Sequence, residues 1–519
     1  MKSYFECMEE INDEELYNGL LAYGLFSEKL PPVFSSENFK KYCDTWKEDI
    51  INSKKFLKEE YGYIVFDVIR NTNVPRTLGI PNPIGYYKLC KILENNWGKI
   101  QEHFKKYTSG EKYKTSRIHI RKIQENKSLF EMNYNNWKID GTPKLDLLLG
   151  AKYIVHADIS NCFPSIYTHS LPWALVGKEK AKSNRYTDWY NYIDKACRGI
   201  KNGETHGILI GPHTSNILSE IILVVIDEKL RRKWNYFRHI DDYTCYVKTQ
   251  EDAKSFVKDL SEELQKYGLS LNHKKTSFEE LPISLEEEWI SKLSTFPIIS
   301  SYGNTSYKEV SNFLDLSIKL MKENNMNSAI LNYAIKTLSG QKKLTESAKK
   351  CCKKRIMHLA IIYPYLIPLI EKHVFIPYKV SIEEMKEFVE EVYYDGLKNG
   401  NYEQICYSLY YSIKYSFKLD SLKSNRIFEC DNCIYKLLIW MYYKKQDNKE
   451  ILDEIEEHSL ELVKNLEFEQ NWLFVYEVLT KEHFSGFNDK LVKSNDIWIL
   501  MKEKNISFLR KEFINIKYI

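Results

Sequence analysis

Three aspartates are the residues best placed to do chemistry. Asp241 and Asp242 stand side by side in YFRHIDDYTCYV, residues 236–247, between two runs of aromatic and β-branched residues. Taken alone they read as the polar tip of a β-hairpin, because Asp bonds nearby backbone and tolerates the left-handed conformation that turns need. Asp158 changes that reading. It ends the apolar run YIVHAD, and Asn161 and Pro164 break regular structure just beyond it. A carboxylate at the end of a core strand is costly unless something pairs with it. The connection from Asp158 to Asp241 is long enough to hold a helix and to lay the first strand beside the Asp-Asp hairpin, so the carboxylates can share one site. Brought together they repel, and a divalent cation is the usual remedy. Mg²⁺ held by few protein carboxylates plus substrate phosphates is the expected form.

Other groups can serve such a site. Gly207, Gly211 and Pro212 in ETHGILIGPHTSN make a tight loop feeding a long helix; close approach of a ligand to backbone and ordinary strand-to-helix packing both ask for such glycines. Lys274 and Lys275 in LSLNHKKTSF end a strand. A lysine there can reach a phosphate or give a proton to a leaving pyrophosphate, and an exposed lysine pair equally serves solubility. TSRIHIRK alternates with period two, so Arg117, His119 and Arg121 share one strand face, which suits a triphosphate clamp or a solvent-facing edge.

The elements that must position these residues follow three regimes. Residues 1 to about 150 mix helical and strand signals, with Tyr86, Leu89, Cys90 and Leu93 forming an amphipathic stripe after IPNP. From about 151 to 282 short β runs alternate with helices, an α+β pattern. Beyond about 305 only helical stripes follow. Ser381 and Glu384 make a capping box, and Met385, Phe388, Val389 and Val392 share one face. The 519 residues suffice for two to four domains, and a net charge of +4 confines any nucleic-acid contact to local basic patches. MKSYFECMEEINDEE has no apolar leader, and the run MHLAIIYPYLIPLI is too short and Pro-broken to span a bilayer, so a cytoplasmic protein is expected. The 11 cysteines read as buried thiols, the CDNC pair Cys430 and Cys433 included, since no second pair completes a zinc site.

The order and content of these blocks resemble the reverse transcriptases. DISNCFPSIY is similar to the palm block with the first metal aspartate, GILIGPHTSN to the glycine-bearing block before the palm helix, HIDD to the aromatic-x-Asp-Asp hairpin, and LNHKKT to the lysine-bearing block that follows. The run SIYTHSLPWALVGKEKAKSNR, with ETHG, narrows the resemblance to the bacterial abortive-infection and defence-associated reverse transcriptases of the AbiK type. The resemblance covers about residues 65–290. It implies an α+β fold: an N-terminal region and fingers over 1–150, a palm with an antiparallel sheet over 151–300, and an all-helical, repeat-like domain over 301–519 in place of a thumb. It also implies that Asp158 and Asp241 bind two Mg²⁺ (or Mn²⁺) ions with Ile159 contributing backbone, and that Asp242 supports them. Phe163 would be the steric gate against a 2′-hydroxyl, Arg117 and Arg121 would neutralise the triphosphate, Gly211 would border the nucleotide, and Lys275 would protonate pyrophosphate.

Departures from the family pattern shape the expected function. His239 stands where Tyr or Phe is usual, Leu209 and Ile210 replace a Pro-Gln that touches template and nucleotide, and FEELPISLEEEW is acidic where a duplex-gripping thumb is basic. The resemblance then implies a bacterial antiphage DNA polymerase that uses dNTPs, works without a template, starts from a protein hydroxyl and makes single-stranded DNA attached to itself, as a homo-oligomer with no membrane partner. The alternative is a templated reverse transcriptase of retron or group II intron type using a partner noncoding RNA. A helical scaffold with a dead palm is disfavoured by Asp158, Asp241 and Phe163. In the helical half, IWMYYKK and KKCCKKR are expected to expose aromatic and cationic groups along a single-strand channel.

Overall fold

The computed structural model describes residues 4–46, 59–70, 74–109, 120, 122, 143–183, 188–284, 287–298, 303–422 and 428–514. Arg117, His119 and Arg121 lie outside the described residues. Two antiparallel sheets organise the first 280 residues. β1 (Tyr63–Ile69) and β2 (Pro75–Pro81) form a hairpin in register from Tyr63 opposite Pro81 to Ile69 opposite Pro75. β3 (Tyr153–Asp158), β4 (Tyr236–His239), β5 (Asp242–Val247) and β6 (Ser277–Glu280) make a second sheet in the order β4-β5-β3-β6. The strand ending in Asp158 thus lies directly beside the Asp-Asp hairpin.

Hydrophobic patterning explains what backs this sheet. The helix Thr214–Leu230 is apolar on nearly every side and is buried along most of its length, whereas Gln250–Gln265 buries only Ala253, Phe256, Leu260 and Leu264. The stripe Tyr86, Leu89, Cys90 and Leu93 is buried on the helix Pro83–Asn95, which starts where the Asn82 side chain accepts the Ile84 amide hydrogen at 3.0 Å. One expected strand is replaced. LSLNHKK contributes only a single bridge, Leu271 to Ile159, and then turns. Asn272 causes this: its amide bonds the Asp158 carbonyl at 2.8 Å and its side chain accepts from the Lys274 amide at 3.2 Å, a local turn that competes with a ladder. The pairing resumes at β6.

Beyond Glu280 every described element is helical. Ser381 and Glu384 form the expected capping box, and Met385, Phe388, Val389 and Val392 are buried together. The aromatic groups expected at the surface in IWMYYKK are instead buried, while Lys350, Lys354 and Lys444 are exposed. The helices Tyr402–Tyr415 and Cys433–Lys445 are buried almost all round, so Trp440, Tyr442 and Tyr443 are core and Lys445 is turned inward onto the Ile413 carbonyl and, at 2.6 Å, the Ser416 hydroxyl. A helix apolar on every face belongs in the middle of a bundle. In KKCCKKR, Cys351 and Cys352 are buried, and four cations are neutralised from within: Lys349 by Glu346 (2.6 Å), Lys353 by Glu384 (2.6 Å), Lys354 by Glu384 and Glu387 (4.0 and 3.9 Å) and Arg355 by Asp315 (2.6 Å). All 11 cysteines are free and buried. No helix among the described residues is long and apolar enough to cross a membrane.

One apolar core runs from Tyr4 to Phe513. Within it His103 and His213 are buried beside the helix Thr214–Leu230, and burial pushes both imidazoles down to about 4. Both are therefore neutral in the fold, while the unfolded chain takes up their protons below pH 6.5. Stability should be fully present above that value and fall as the pH drops through 4, by on the order of 3 kcal/mol per histidine at most. Urea titrations at stepped pH should show this slope, and His103→Gln and His213→Gln should each flatten it.

Candidate active site

The register of the second sheet assembles the carboxylates. Asp158 at the end of β3 faces Asp242 at the start of β5, and residues directly opposite in an antiparallel pair project from the same face. Asp241 sits at the hairpin tip, its carbonyl accepting the Ile159 amide at 3.1 Å. The side chain of Asp158 is almost wholly buried. Lys275 Nζ donates to its Oδ2 at 2.7 Å and Asn272 Nδ2 to its Oδ1 at 3.2 Å. Burial, then the charge of Asp241 and a hydrogen bond with Asp158, push Asp242 up to about 7. Burial and Asp158 also raise Asp241, with Lys275 and Arg76 pulling the other way. Asp242 was expected to act in a supporting role. It lies opposite Asp158, where its charge and those of Asp158 and Asp241 act on one another.

A buried guanidinium holds the hairpin tip. Ile240 adopts a φ of 57°, a left-handed conformation that a β-branched residue enters at a cost of about 1–3 kcal/mol. Arg238, fully buried, donates from Nη1 to the Ile240 carbonyl at 2.6 Å and so fixes the turn that presents Asp241. The same side chain forks onto Glu220 (2.7 and 3.0 Å) and Asp227 (2.9 and 2.7 Å), both carried by the buried helix. Tyr4 donates to Glu220 at 2.9 Å and Tyr236 to Asp227 at 2.9 Å, which closes the network.

The loop Gly207–Pro212 joins the two sheets. Gly79 N–H of β2 bonds the Ile210 carbonyl at 2.9 Å, and Leu209 packs where a side chain on Gly79 would stand, 2.7 Å away. Gly211 has a φ of 125°, a conformation side chains rarely adopt, and a Cβ there would stand 3.5 Å from the Gly79 carbonyl. This junction carries the cation that sequence reading missed. Arg76 of β2 is close enough to Asp241 for each to stabilise the other's charge, while burial and the neighbouring Arg70 act against its guanidinium. Lys29 stands beside both arginines. Phe163 is half-buried in the short helix Cys162–Ser165, its carbonyl taking the Ile208 amide at 2.9 Å, so the aromatic ring and the glycine loop share a junction. His239 lies opposite Asp242.

Among the described residues, Asp158, Asp241, Asp242, Lys275 and Arg76 thus converge, with Ile159 touching the tip through its amide and Gly211 bracing the loop. No group of three or more His, Cys, Asp or Glu there is drawn tightly enough to cage a cation unaided. The signal for the Arg238 network was present in the sequence, as Glu220 and Asp227, two turns apart, bracket the apolar run IILVVI, and Arg238 interrupts the strand YFRHI. Arg76 gave no such signal. Arg238→Met should cost about 3–5 kcal/mol by stranding two buried carboxylates, measured by denaturant unfolding, and adding Glu220→Gln with Asp227→Asn should restore part of that loss.

Residues 88–321 match the family model described as reverse transcriptase (RNA-dependent DNA polymerase). None of the curated proteins matches the chain. Similar solved structures include apo telomerase from Candida tropicalis truncated from its C-terminal domain, 19% identical with a TM-score of 0.30, where 45% of this chain covers 52% of that one. The chain spans about half the length of that structure. Apo telomerase from Candida tropicalis is 13% identical with a TM-score of 0.34, covering 90% of this chain and 74% of that chain. Telomerase from Candida albicans, in complex with a TWJ fragment of telomeric RNA, is 13% identical with a TM-score of 0.30, covering 69% and 65%. The span matched by the family model contains the second sheet, all three aspartates and Lys275, and the chain therefore carries a reverse transcriptase domain.

Proposed function

We propose that this chain is a DNA polymerase of antiphage defence, of the AbiK type, that adds deoxynucleotides to a strand started on a protein hydroxyl and does so without a template. The observation that carries the nucleotidyl-transfer part is the pairing of Asp158 with Asp242 across the ladder, with Asp241 and Lys275 beside them. Mg²⁺ or Mn²⁺ fits this donor set. The carboxylates are hard oxygen ligands, and the raised values of Asp241 and Asp242 report a repulsion that a cation relieves. Asp158, Asp241 and the Ile159 backbone would hold the ions. When bound, they supply the positive charge that draws attacking and leaving oxygens into line.

The chain's own groups do the rest. Arg76 and Arg70, with Arg117 and Arg121 as read from sequence, offset the charge of a triphosphate. Lys275 Nζ, an ammonium about half exposed, has a proton to give to departing pyrophosphate. The Phe163 ring occupies the space a 2′-hydroxyl needs, and Gly211 keeps the loop close to the nucleotide.

Support for a single-stranded product comes from the far end of the same sheet face. From Asp158 and Asp242 the face passes to His156 and Thr244, then to Ile154 and Tyr246. Ile154, Tyr246 and the neighbouring Phe237 are buried under Leu147, Leu148, Leu281 and Ile283. Asp158 lies four strand positions from this roof, about 13 Å, and the edge strand β6 adds Glu279, opposite Ile154, to the same face. A duplex needs a longer and less acidic floor. The defence assignment rests on the blocks YTHS and ETHG, which meet in the fold: Thr168 N–H bonds the Thr205 carbonyl at 2.8 Å and Tyr167 bridges to His206. In this reading residues 1–150, 151–300 and 301–519 serve as fingers, palm and helical domain, and the helical domain also joins copies of the chain into a homo-oligomer.

Incubation with each labelled dNTP, without template, should give label that migrates with the protein and is released by protease. Label that requires added RNA would replace this reading with templated synthesis on a noncoding RNA. Asp158→Ala and Asp241→Ala should each abolish incorporation, and EDTA should do the same to the unaltered protein. Melting temperatures of the Asp241→Ala and Asp242→Ala variants should be unchanged or higher, since each removes a carboxylate the fold holds against repulsion. Phe163→Ala should admit ribonucleotides, measured as the ratio of ATP to dATP incorporation, whereas an unaltered ratio would remove the steric gate from Phe163.

A further inference from the structure

A two-stranded hairpin leaves two open edges, each a row of unpaired backbone groups that must be covered. The β2 edge is closed by the Gly79–Ile210 bond to the glycine loop. The β1 edge is closed from the far end of the chain. Glu403, 3% exposed on the helix Tyr402–Tyr415, accepts the Ile69 amide hydrogen at 2.5 Å. Glu469, on the helix Phe468–Val478, accepts from the Gly62 amide at 2.8 Å and from Asn82 Nδ2 at 3.2 Å, and Trp472 of the same helix donates to the Ile80 carbonyl at 3.5 Å. One carboxylate grips the hairpin near its tip and the other at its base. Arg70 follows Ile69 directly, Arg76 pairs opposite Val68, and Lys29, beside both arginines, is also within electrostatic reach of Glu403.

Neither carboxylate is an economical way to make a stable interface. Both are held above the ordinary Glu range by burial, Glu403 at about 7 with the Ile69 amide and Lys29 opposing. Apolar packing would close the edge at less cost, but it would not fix the register of particular amides. We propose that Glu403 and Glu469 are positioning residues through which the helical half sets the place of the β1–β2 hairpin, and with it Arg76, against the glycine loop beside the aspartates. The proposal rests on reading Arg76 as a phosphate-facing cation. The hairpin then moves only when the helices 402–415 and 468–478 move with it, so nucleotide binding is tuned from residues that never touch the nucleotide.

The test combines kinetics with hydrogen exchange on the full chain. Glu403→Ala should raise KM for dNTP roughly tenfold to a hundredfold with a much smaller change in kcat, as expected when a binding group is misplaced. Glu403→Gln, which keeps an acceptor for the Ile69 amide, should recover most of the affinity. Amide exchange across residues 63–69 should quicken in Glu403→Ala and not in Glu403→Gln. Because Glu403 acts through Arg76, adding Glu403→Ala to Arg76→Ala should raise KM little further. Should Glu403→Ala fail to fold, Glu469→Ala serves at the other end of the hairpin with the same expectations. Additive effects of the two substitutions, or an unchanged KM beside quickened exchange, would overturn the proposal. If the unaltered protein incorporates no nucleotide, the polymerase reading falls instead, and exchange at 63–69 that is indifferent to Glu403→Ala would then overturn the coupling itself.

Discussion

A single guanidinium under the hairpin is the constraint on which the site depends. Arg238 lies in a fully dehydrated position where only a complete set of partners makes its charge tolerable, and it has one: Glu220, Asp227 and the carbonyl of Ile240. The first two fix the hairpin to the central helix. The third fixes the left-handed residue that turns Asp241 outward. Loss of the network would leave the strands paired but the tip free to relax, so the placement of a carboxylate at the surface is settled by electrostatics beneath it.

The same economy appears at the two places where charge meets charge above the sheet. Lys275 and Asn272 hold Asp158, while the charge of Arg76, on the other sheet, favours the ionised Asp241. The cluster is therefore under tension, with three acids close together and cations arranged at its rim. Charge arranged in this way before a substrate arrives need not rearrange during reaction. The helical half participates through the β1 edge, and the continuous core allows no slack between it and the sheets.

Much of this was readable from residue types. An acid at the end of an apolar strand is costly, which singled out Asp158, and the length of chain to Asp241 allowed the two strands to meet. Helical stripes located the half beyond residue 305. What escaped was set by packing between distant segments. Arg76 sits in PRTLGIP, where nothing local distinguishes it from a turn residue, and its meaning comes from a register with β1 and a loop more than a hundred residues away. The aromatic runs were misread for a different reason. A stripe was taken to imply an exposed opposite face, yet YEQICYSLYYSIKY and CIYKLLIWMYYKK are apolar nearly all round and occupy the middle layer. Lys353 and Arg355 of KKCCKKR looked free because their acids lie on neighbouring helices.

Segments far apart in sequence meet in the structure, with a consequence for how it is made. Tyr4 reaches Glu220 across 216 positions of sequence, and Ser35 bonds Phe508 while Arg510 bonds Val33, each at 2.8 Å. At a translation rate of about 5–20 residues per second, the first helix waits on the order of 10–50 s for the helix it must cover, and the Val33–Ser35 segment waits longer still for its partner. During that interval the N-terminal helices can pack on the helices Pro83–Asn95 and Trp97–Thr108, while the hydroxyl of Tyr4 still lacks its acceptor. Synthesis of this chain therefore passes through a stage in which the Val33–Ser35 segment is made and its partner, Phe508 to Arg510, is not.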